Sequence, residues 1–588
     1  MSIIALTEDP DCRTNIEDLY QLSAQLGFKI EPQDAKDYLL LLRSFAAVMQ
    51  QVKDGSDYIH PALQPHPCIG VRDFWSPEPG QNPFNAWSHR CELKSASPVN
   101  NLLQGRTVAI KDNIAIGGLP TTLGTSPHIL RRSGILPRSS IDATVVSRIL
   151  AAGGVVKGSS TCESFCASPL AFTSGTGPVH NPLLHGFTTG GSSSGSCALV
   201  AACALRKCRN DSQNLHLGAV AEVAVGSDQA GSVRIPASYT GLYGLKPTFG
   251  LIPYTGAASM TPMIDHLGPI ASSLEDIAVL LRVMSGYDGL DPRMTPESPL
   301  LDQVEDYPDI LKDARQKLSS NDASKLNETK TLRVGLLEES FFVSGVSPEV
   351  RETVRDAAKL FFTSAGAEVV NISVPMHKEG PVIWTAATRP SMSDWLCQGR
   401  STGHLSFPPA HMGMEWPPTQ EVYERLTALN PAVVNIMLSK LLSDREFGPS
   451  VEAKAHRKVY ELRAAYDAAL DEVDVLITPC APTVAMPHPK LKTEDGSSST
   501  ILEKLKTAVG VTTNTCPFNV TGHPAISVPC GTAAAADHPD IQLPIGMQII
   551  GRRWHDADIL VAAAMFEEGQ RKSKEHTAEG LKTSGDQE

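Results

Sequence analysis

Apolar side chains recur at three- and four-residue steps between Asn15 and Val52: Leu19, Leu22 and Leu26, then Tyr38, Leu39, Leu42, Phe45 and Met49. That period is one face of an α-helix and predicts a helical appendage near the start of the chain. From His60 to Glu92 the period dissolves among Pro, Trp and polar residues, which predicts an irregular linker. Beyond Leu93 short apolar runs alternate with amphipathic stretches. Arg106–Ile110, Gly154–Gly158, Ala221–Val225, Leu332–Leu336, Glu368–Val374 and Val473–Thr478 predict strands. Asp142–Ala152, Pro348–Ala365 and Val451–Leu470 predict amphipathic helices, and Ser196–Leu205 a small-residue helix, apolar nearly all round and therefore buried.

This alternation predicts an α/β fold, a mixed β-sheet core covered by helices on both faces, with the N-terminal helical appendage beside it. The expected boundaries are 1–92 for appendage and linker, 93–568 for the main body and 569–588 for a polar C-terminal tail. Arg206–Leu217 and Gln316–Thr331 are expected to be surface insertions because charge and polar residues dominate them. Sites in α/β folds gather where strands end and loops begin.

Composition narrows the function by exclusion. A formal charge of −13 over 588 residues argues against nucleic acid or an anionic membrane as the main partner. No apolar run reaches spanning length, and Met1–Glu8 lacks the basic-then-apolar profile of a secretory signal. Twelve cysteines without a Cys-x-x-Cys imply free thiols in a reducing compartment, hence a cytoplasmic location. Cys162 and Cys166 have the spacing of neighbours on a helix face. The 17 histidines include no His-Glu-x-x-His, so no metal is expected, and His266 and His523 are read as turn or packing residues.

Two serine-rich turns and one lysine remain as candidate chemistry. Gly226-Ser-Asp-Gln-Ala-Gly-Ser232 follows a strand directly, a position that exposes the Ser232 hydroxyl. The backbone N–H groups of Gln229, Ala230, Gly231 and Ser232 are close enough in sequence to converge on an oxyanion. Gly190-Gly-Ser-Ser-Ser-Gly-Ser196 precedes the buried helix. It lacks the Gly-Lys-Ser/Thr of a phosphate loop and the Gly-x-Gly-x-x-Gly of a dinucleotide loop, so a hydroxyl network is the better reading. Lys111 ends the first strand, and an amine buried among apolar groups without a carboxylate partner is able to act as a base. Each element alone is an ordinary turn or a solvated lysine; their order along one chain is what carries information.

That ordered set resembles the amidase signature family of Ser–Ser–Lys hydrolases. The glycine-serine signature is Gly190–Ser196, and the nucleophile motif is Asp228–Ala237 followed by Gly241–Thr248. Further similar segments are Asp474–Pro482, Asn519–Ala525 and Leu543–Gly551, so the resemblance covers about residues 93–568. It implies that Lys111 is the base, that Ser192 relays the proton and is reached through a cis peptide, and that Ser232 is the acylated nucleophile. The oxyanion hole implied is the N–H set from Gln229 to Ser232, with Asp228 and Arg234 bracing the turn. Phe249–Gly256, Ile264–Ile270 and Asp288–Arg293 are similar to bacterial enantioselective amidases of aliphatic and aromatic amides. In that subgroup an N-terminal helical appendage contributes to dimerisation, which implies a homodimer through residues 15–52.

The chain departs from the family pattern at Ser194 and Ala230, where glycine is usual. Neither change removes a reactive group. The expected function is hydrolysis of a small-molecule carboxamide, without cofactor, through a seryl acyl-enzyme. Two alternatives use the same centre: an acyltransferase, and one member of a tRNA-dependent amidotransferase complex. Phe172, Trp384 and residues 385–450 are candidates for the acyl pocket.

Overall fold

Strand and helix alternate through most of the chain, and the computed structural model describes residues 13–209, 217–319, 331–400, 412–490 and 499–585. Side chains of the last helix are described to residue 575. The chain divides into two compact units, Met1–His60 and Pro61–Glu588. The first holds helices Ile16–Gln25 and Ala35–Asp54, as the apolar period predicts. Asn15 caps the earlier helix in a reciprocal box with Asp18, satisfying N–H groups that have no partner within the helix.

The second unit is built on a twelve-stranded mixed sheet. In spatial order its strands are Phe74–Trp75, Trp87–Lys94, Val155–Ser160, Thr107–Lys111, Val223–Ser227, Leu267–Ala271, Tyr243–Lys246, Ala525–Ala535, His538–Ile550, Val475–Pro479, Arg333–Leu337 and Glu368–Ile372. Thr107–Lys111 runs parallel to both its neighbours, Val155–Ser160 and Val223–Ser227. Arg333–Leu337 is likewise parallel to Val475–Pro479 and Glu368–Ile372. The remaining pairings are antiparallel.

Side-chain alternation shows that both faces are covered. Val108, Ile110, Val223 and Val225 enter one apolar cluster with Ile149, Ile277 and Leu281 of helices Thr144–Ala151 and Leu274–Met284. Ala109 and Ala224, one position away on the same strands, enter another with Cys197 to Ala202 of helix Ser194–Arg209. A strand whose odd and even residues both meet packed helices is the centre of a sandwich.

Two expected boundaries are corrected. The segment 61–92 is not a linker but part of the second unit, ending in a sheet strand. Leu63 is fully buried, Arg72 pairs with buried Asp142 at 2.7 Å, and the Trp87 indole donates to the Ala219 carbonyl at 2.8 Å. Its prolines mask the strand alternation. Nor does a tail begin at Gly569, because helix Asp556–Gly585 passes straight through it. Phe566 packs edge-on against Phe361, and a side chain at 569 would meet the Phe361 carbonyl at 1.8 Å. Arg571, Lys574 and Glu575 are exposed on this helix. Residues 210–216 and 320–330 of the two expected insertions lie outside the described residues.

Candidate active site

Parallel strands in register bring their C-terminal ends to one edge of the sheet, and Lys111 and Ser227 end adjacent strands there. Lys111 is fully buried, and its Nζ lies 2.8 Å from Ser192 Oγ, 2.9 Å from Ser227 Oγ and 3.2 Å from the Ser227 carbonyl. None of these partners is a carboxylate. Asp112, next in sequence, turns away to accept from Ser88 Oγ at 2.6 Å and from Thr122 Oγ1. Asn113 donates to Ser227 Oγ at 3.1 Å, closing a hydroxyl–amine cluster around Lys111.

Ser192 sits in the loop before helix Ser194–Arg209, and the Gly191–Ser192 peptide is cis. The next residue joins the two serine turns directly: the Ser193 N–H donates to the Ser232 carbonyl at 3.2 Å. Ser232 is buried, at 7% exposure. Gly231 before it takes φ 128°, and a side chain there would meet Thr515 Oγ1 at 2.4 Å. Glycine is required at that point on both counts.

The Ser232 turn closes around Asp228. Its carboxylate accepts the N–H of Gly231 at 2.7 Å and of Val233 at 3.1 Å, and Arg234 clamps it with two contacts of 2.9 Å. Asn519 donates to the Asp228 carbonyl and to its carboxylate, both at 2.9 Å. Arg234 also reaches Gln548 Oε1 at 2.6 Å and Asn519 Oδ1 at 2.7 Å. Burial alone would raise the Asp228 carboxyl, but the Arg234 charge, its hydrogen bonds and Asn519 hold it well below the ordinary carboxylate range.

This corrects the expected set of oxyanion donors. The N–H of Gly231 points back at Asp228 and is not directed outward. Among the described residues, no partner takes the N–H groups of Gln229, Ala230 or Ser232. Ala230, which replaces a glycine of the family pattern, is half-buried, and its carbonyl accepts from Thr515 Oγ1 at 2.5 Å. Gln229 is held at both ends: Nε2 donates to Tyr254 Oη at 2.8 Å, and the Trp384 indole donates to its carbonyl at 3.0 Å. Trp384 therefore touches the Ser232 turn, whereas Phe172 belongs to an apolar cluster with Leu170, Phe187, Ile235 and Tyr239. Residues 401–411 of the expected pocket region lie outside the described residues.

Several neighbours of the site carry no motif. Glu163 is fully buried; its carboxylate accepts Ser194 Oγ at 2.9 Å, Thr173 N–H at 2.7 Å and Thr173 Oγ1 at 2.6 Å. Cys162 and Cys166 do not share a helix face. They flank a tight turn in which Phe165 and Cys166 adopt φ 54° and 55°. The neighbouring Cys162 thiol lowers Cys166; burial opposes this, and Lys111, Ser192 and Ser227 assist it. Only residue spacing pointed to this turn, and spacing misread it. His266 and His523 are both buried, the first against Phe249 and the second between Thr521 and Asp467, as packing residues are.

Known proteins share this architecture. The model of the amidase family matches residues 86–560. An enantioselective amidase of Rhodococcus rhodochrous is 34% identical over 502 residues, covering 84% of this chain and 85% of that protein. A glutamyl-tRNA(Gln) amidotransferase subunit of Methanosarcina mazei is 31% identical over 469 residues, covering 79% of this chain and 84% of that protein. The crystal structure of a bacterial aryl acylamidase superposes with a TM-score of 0.58 at 22% identity, covering 80% of this chain and 83% of that one, a likeness of fold. No helix among the described residues is long and apolar enough to cross a membrane.

Proposed function

Because the chain belongs to the amidase family, we propose that it hydrolyses a small-molecule carboxamide to a carboxylic acid and an amine or ammonia, with Ser232 as nucleophile. Neutral Lys111 draws a proton from Ser192, which takes one from Ser232 as that oxygen adds to the carbonyl carbon. The negative charge on the former carbonyl oxygen is met by the free N–H groups of Gln229, Ala230 and Ser232. The proton then returns through Ser192 to the departing nitrogen, the C–N bond breaks, and water hydrolyses the acyl-enzyme by the reverse relay.

One observation carries this reading: the fully buried Lys111 Nζ stands 2.8 Å from Ser192 Oγ, one residue away from the link that ties the two serine turns together. The resemblance of Phe249–Gly256, Ile264–Ile270 and Asp288–Arg293 to amidases of aliphatic and aromatic amides favours such acyl groups, with Trp384 beside Gln229 as one wall. A cytoplasmic homodimer through the N-terminal helices completes the proposal.

Ser232→Ala is expected to lower ammonia release from a panel of short, long and aromatic amides by at least about 10³-fold. It should also abolish fluorophosphonate labelling, which in the wild-type enzyme maps to the Ser232 peptide. Near-wild-type turnover by purified Ser232→Ala would refute the assignment. The likeness to the Methanosarcina amidotransferase protein favours a second reading, in which the acyl-enzyme forms on a glutamine amide and the ammonia passes to a partner protein. Co-purification of such partners with glutaminase activity would establish that reading.

A further inference from the structure

Ser194 departs from the family's glycine, and the structure gives its hydroxyl a partner: the buried Glu163 carboxylate, 2.9 Å away. Glu163 follows the strand Val155–Ser160 and reaches the relay loop from three directions. Its backbone N–H donates to the Ser192 carbonyl at 3.3 Å. Its Cγ lies against Gly191, where an added side chain would meet it at 2.9 Å. Its carboxylate holds Ser194 through one oxygen and Thr173 through the other. Thus Ser192 and Ser194 are both hydrogen-bonded to one glutamate, and Gly191 packs against its side chain.

We propose that Glu163 is a positioning residue for the proton relay, and that its ionised carboxylate, by accepting Ser194 and Thr173 together, holds the loop so that Ser192 Oγ stays on Lys111 Nζ. The proposal rests on the reading of Ser192 as relay and Ser232 as nucleophile. Its chemistry follows from donor counting. A carboxylate accepts all three O–H and N–H donors present. A protonated carboxyl, or its isostere glutamine, brings a hydrogen of its own, so one of the three contacts has to reverse and exchanges a charge-assisted hydrogen bond for a weaker neutral one. Ser194 Oγ is placed to reverse, since the Thr173 N–H on the other oxygen can only donate. A glycine at 194 leaves one carboxylate oxygen without this donor, so the serine and the glutamate form a matched pair.

The surroundings make that protonation step accessible. Burial pushes the Glu163 carboxyl up to about 7, opposed by the Thr173 and Ser194 hydrogen bonds and by the Lys111 charge. Lys111 is the basic group that faces it; Thr173 and Ser194 bring only neutral groups, and Cys162 and Cys166 are the titratable side chains on its own turn.

The test is the rate of fluorophosphonate labelling at Ser232 between pH 6 and pH 8, which needs no knowledge of the natural substrate. Glu163→Gln is expected to slow labelling roughly tenfold at pH 8. At pH 6, where the wild-type glutamate is largely protonated, the two rates should converge. Ser194→Ala is expected to slow labelling in the same pH-dependent way and to add nothing to Glu163→Gln in the double variant. If Glu163→Gln does not fold, Ser194→Ala alone carries the same comparison. Variants that label at the wild-type rate, or are slowed equally at every pH, overturn the role assigned to Glu163. A wild-type enzyme that fails to label at Ser232 overturns the nucleophile reading, and this proposal with it.

Discussion

The two serine turns meet at a single hydrogen bond, yet they are braced by opposite means. The Ser232 turn is fastened by paired full charges, Asp228 with Arg234, and by amides of Asn519 and Gln548, 291 positions beyond Asp228 and 314 beyond Arg234. The Ser192 loop is fastened by hydroxyls and one unpaired carboxyl, with Glu163 and Thr173 only a few dozen residues upstream. A nucleophile must keep its place at every working pH, and a charge whose partner holds it ionised far into acid supplies that. A relay passes protons, and the neutral hydroxyl neighbours of Ser192 carry hydrogens that rotate. Rigidity in one turn and proton mobility in the other arise from the choice between ion pair and hydroxyl network.

The contrast is most severely tested by Arg234→Ala. Leaving the buried Asp228 charge unpaired is expected to cost roughly 3–5 kcal/mol in urea denaturation. If Glu163→Gln costs as much, the two braces are equivalent and the distinction fails. Ser227→Ala comes next: it removes a hydroxyl held by both Lys111 and Asn113, and labelling of Ser232 should slow by about tenfold with little change in Tm.

A smaller effect separates the turns by pH. The Glu163 carboxyl binds its proton more tightly folded than unfolded, so its contribution to stability is complete below about 4.5 and is lost as pH rises through about 7. Asp228 behaves oppositely: its contribution is present above the ordinary carboxylate range and is lost only in acid. The Tm of Glu163→Gln relative to wild type should therefore climb between pH 4.5 and 7 and level off above. Asp265 and Asp556, buried and both raised to about 6, act in the two proteins alike and cancel in the difference. A flat difference would show that Glu163 does not titrate in this interval. The smallest effect belongs to Thr515→Val, which removes one hydrogen bond to the Ala230 carbonyl and should cost about 1 kcal/mol in denaturation.

Much of this was readable in the chain because the reactive groups lie inside local patterns. Lys111 ends an apolar run, Ser232 follows one, and Ser192 precedes a helix of small residues, so strand and helix periods alone place all three at element ends. What was hidden depends on who meets whom across the sheet. Ser227 lies one residue before a quoted motif, yet only the register with Thr107–Lys111 turns it toward the lysine. Its position in the sequence makes Gly231 an expected oxyanion donor, but the turn of the backbone gives its N–H to Asp228. Glu163 carries no spacing signal; the one clue was Ser194, a polar side chain where glycine is usual. The fold was misjudged where composition masked period, in the proline-rich 61–92 segment and in the polar end of the last helix.

The brace of the nucleophile turn also sets an order of events. Arg234 and Gln548 are 314 positions apart, and Asp228 and Asn519 are 291 apart. At ribosomal speeds of about 5–20 residues per second, roughly 15–60 s separate the emergence of Arg234 from that of Gln548. During that interval Lys111, Ser192 and Ser232 have all been synthesised, but the charge pair beside Ser232 lacks both amide partners until Asn519 emerges, and Gln548 after that. The reactive serine is therefore made early and armed late, so a truncated or still-growing chain carries the complete set of reactive groups without the frame that makes them an enzyme.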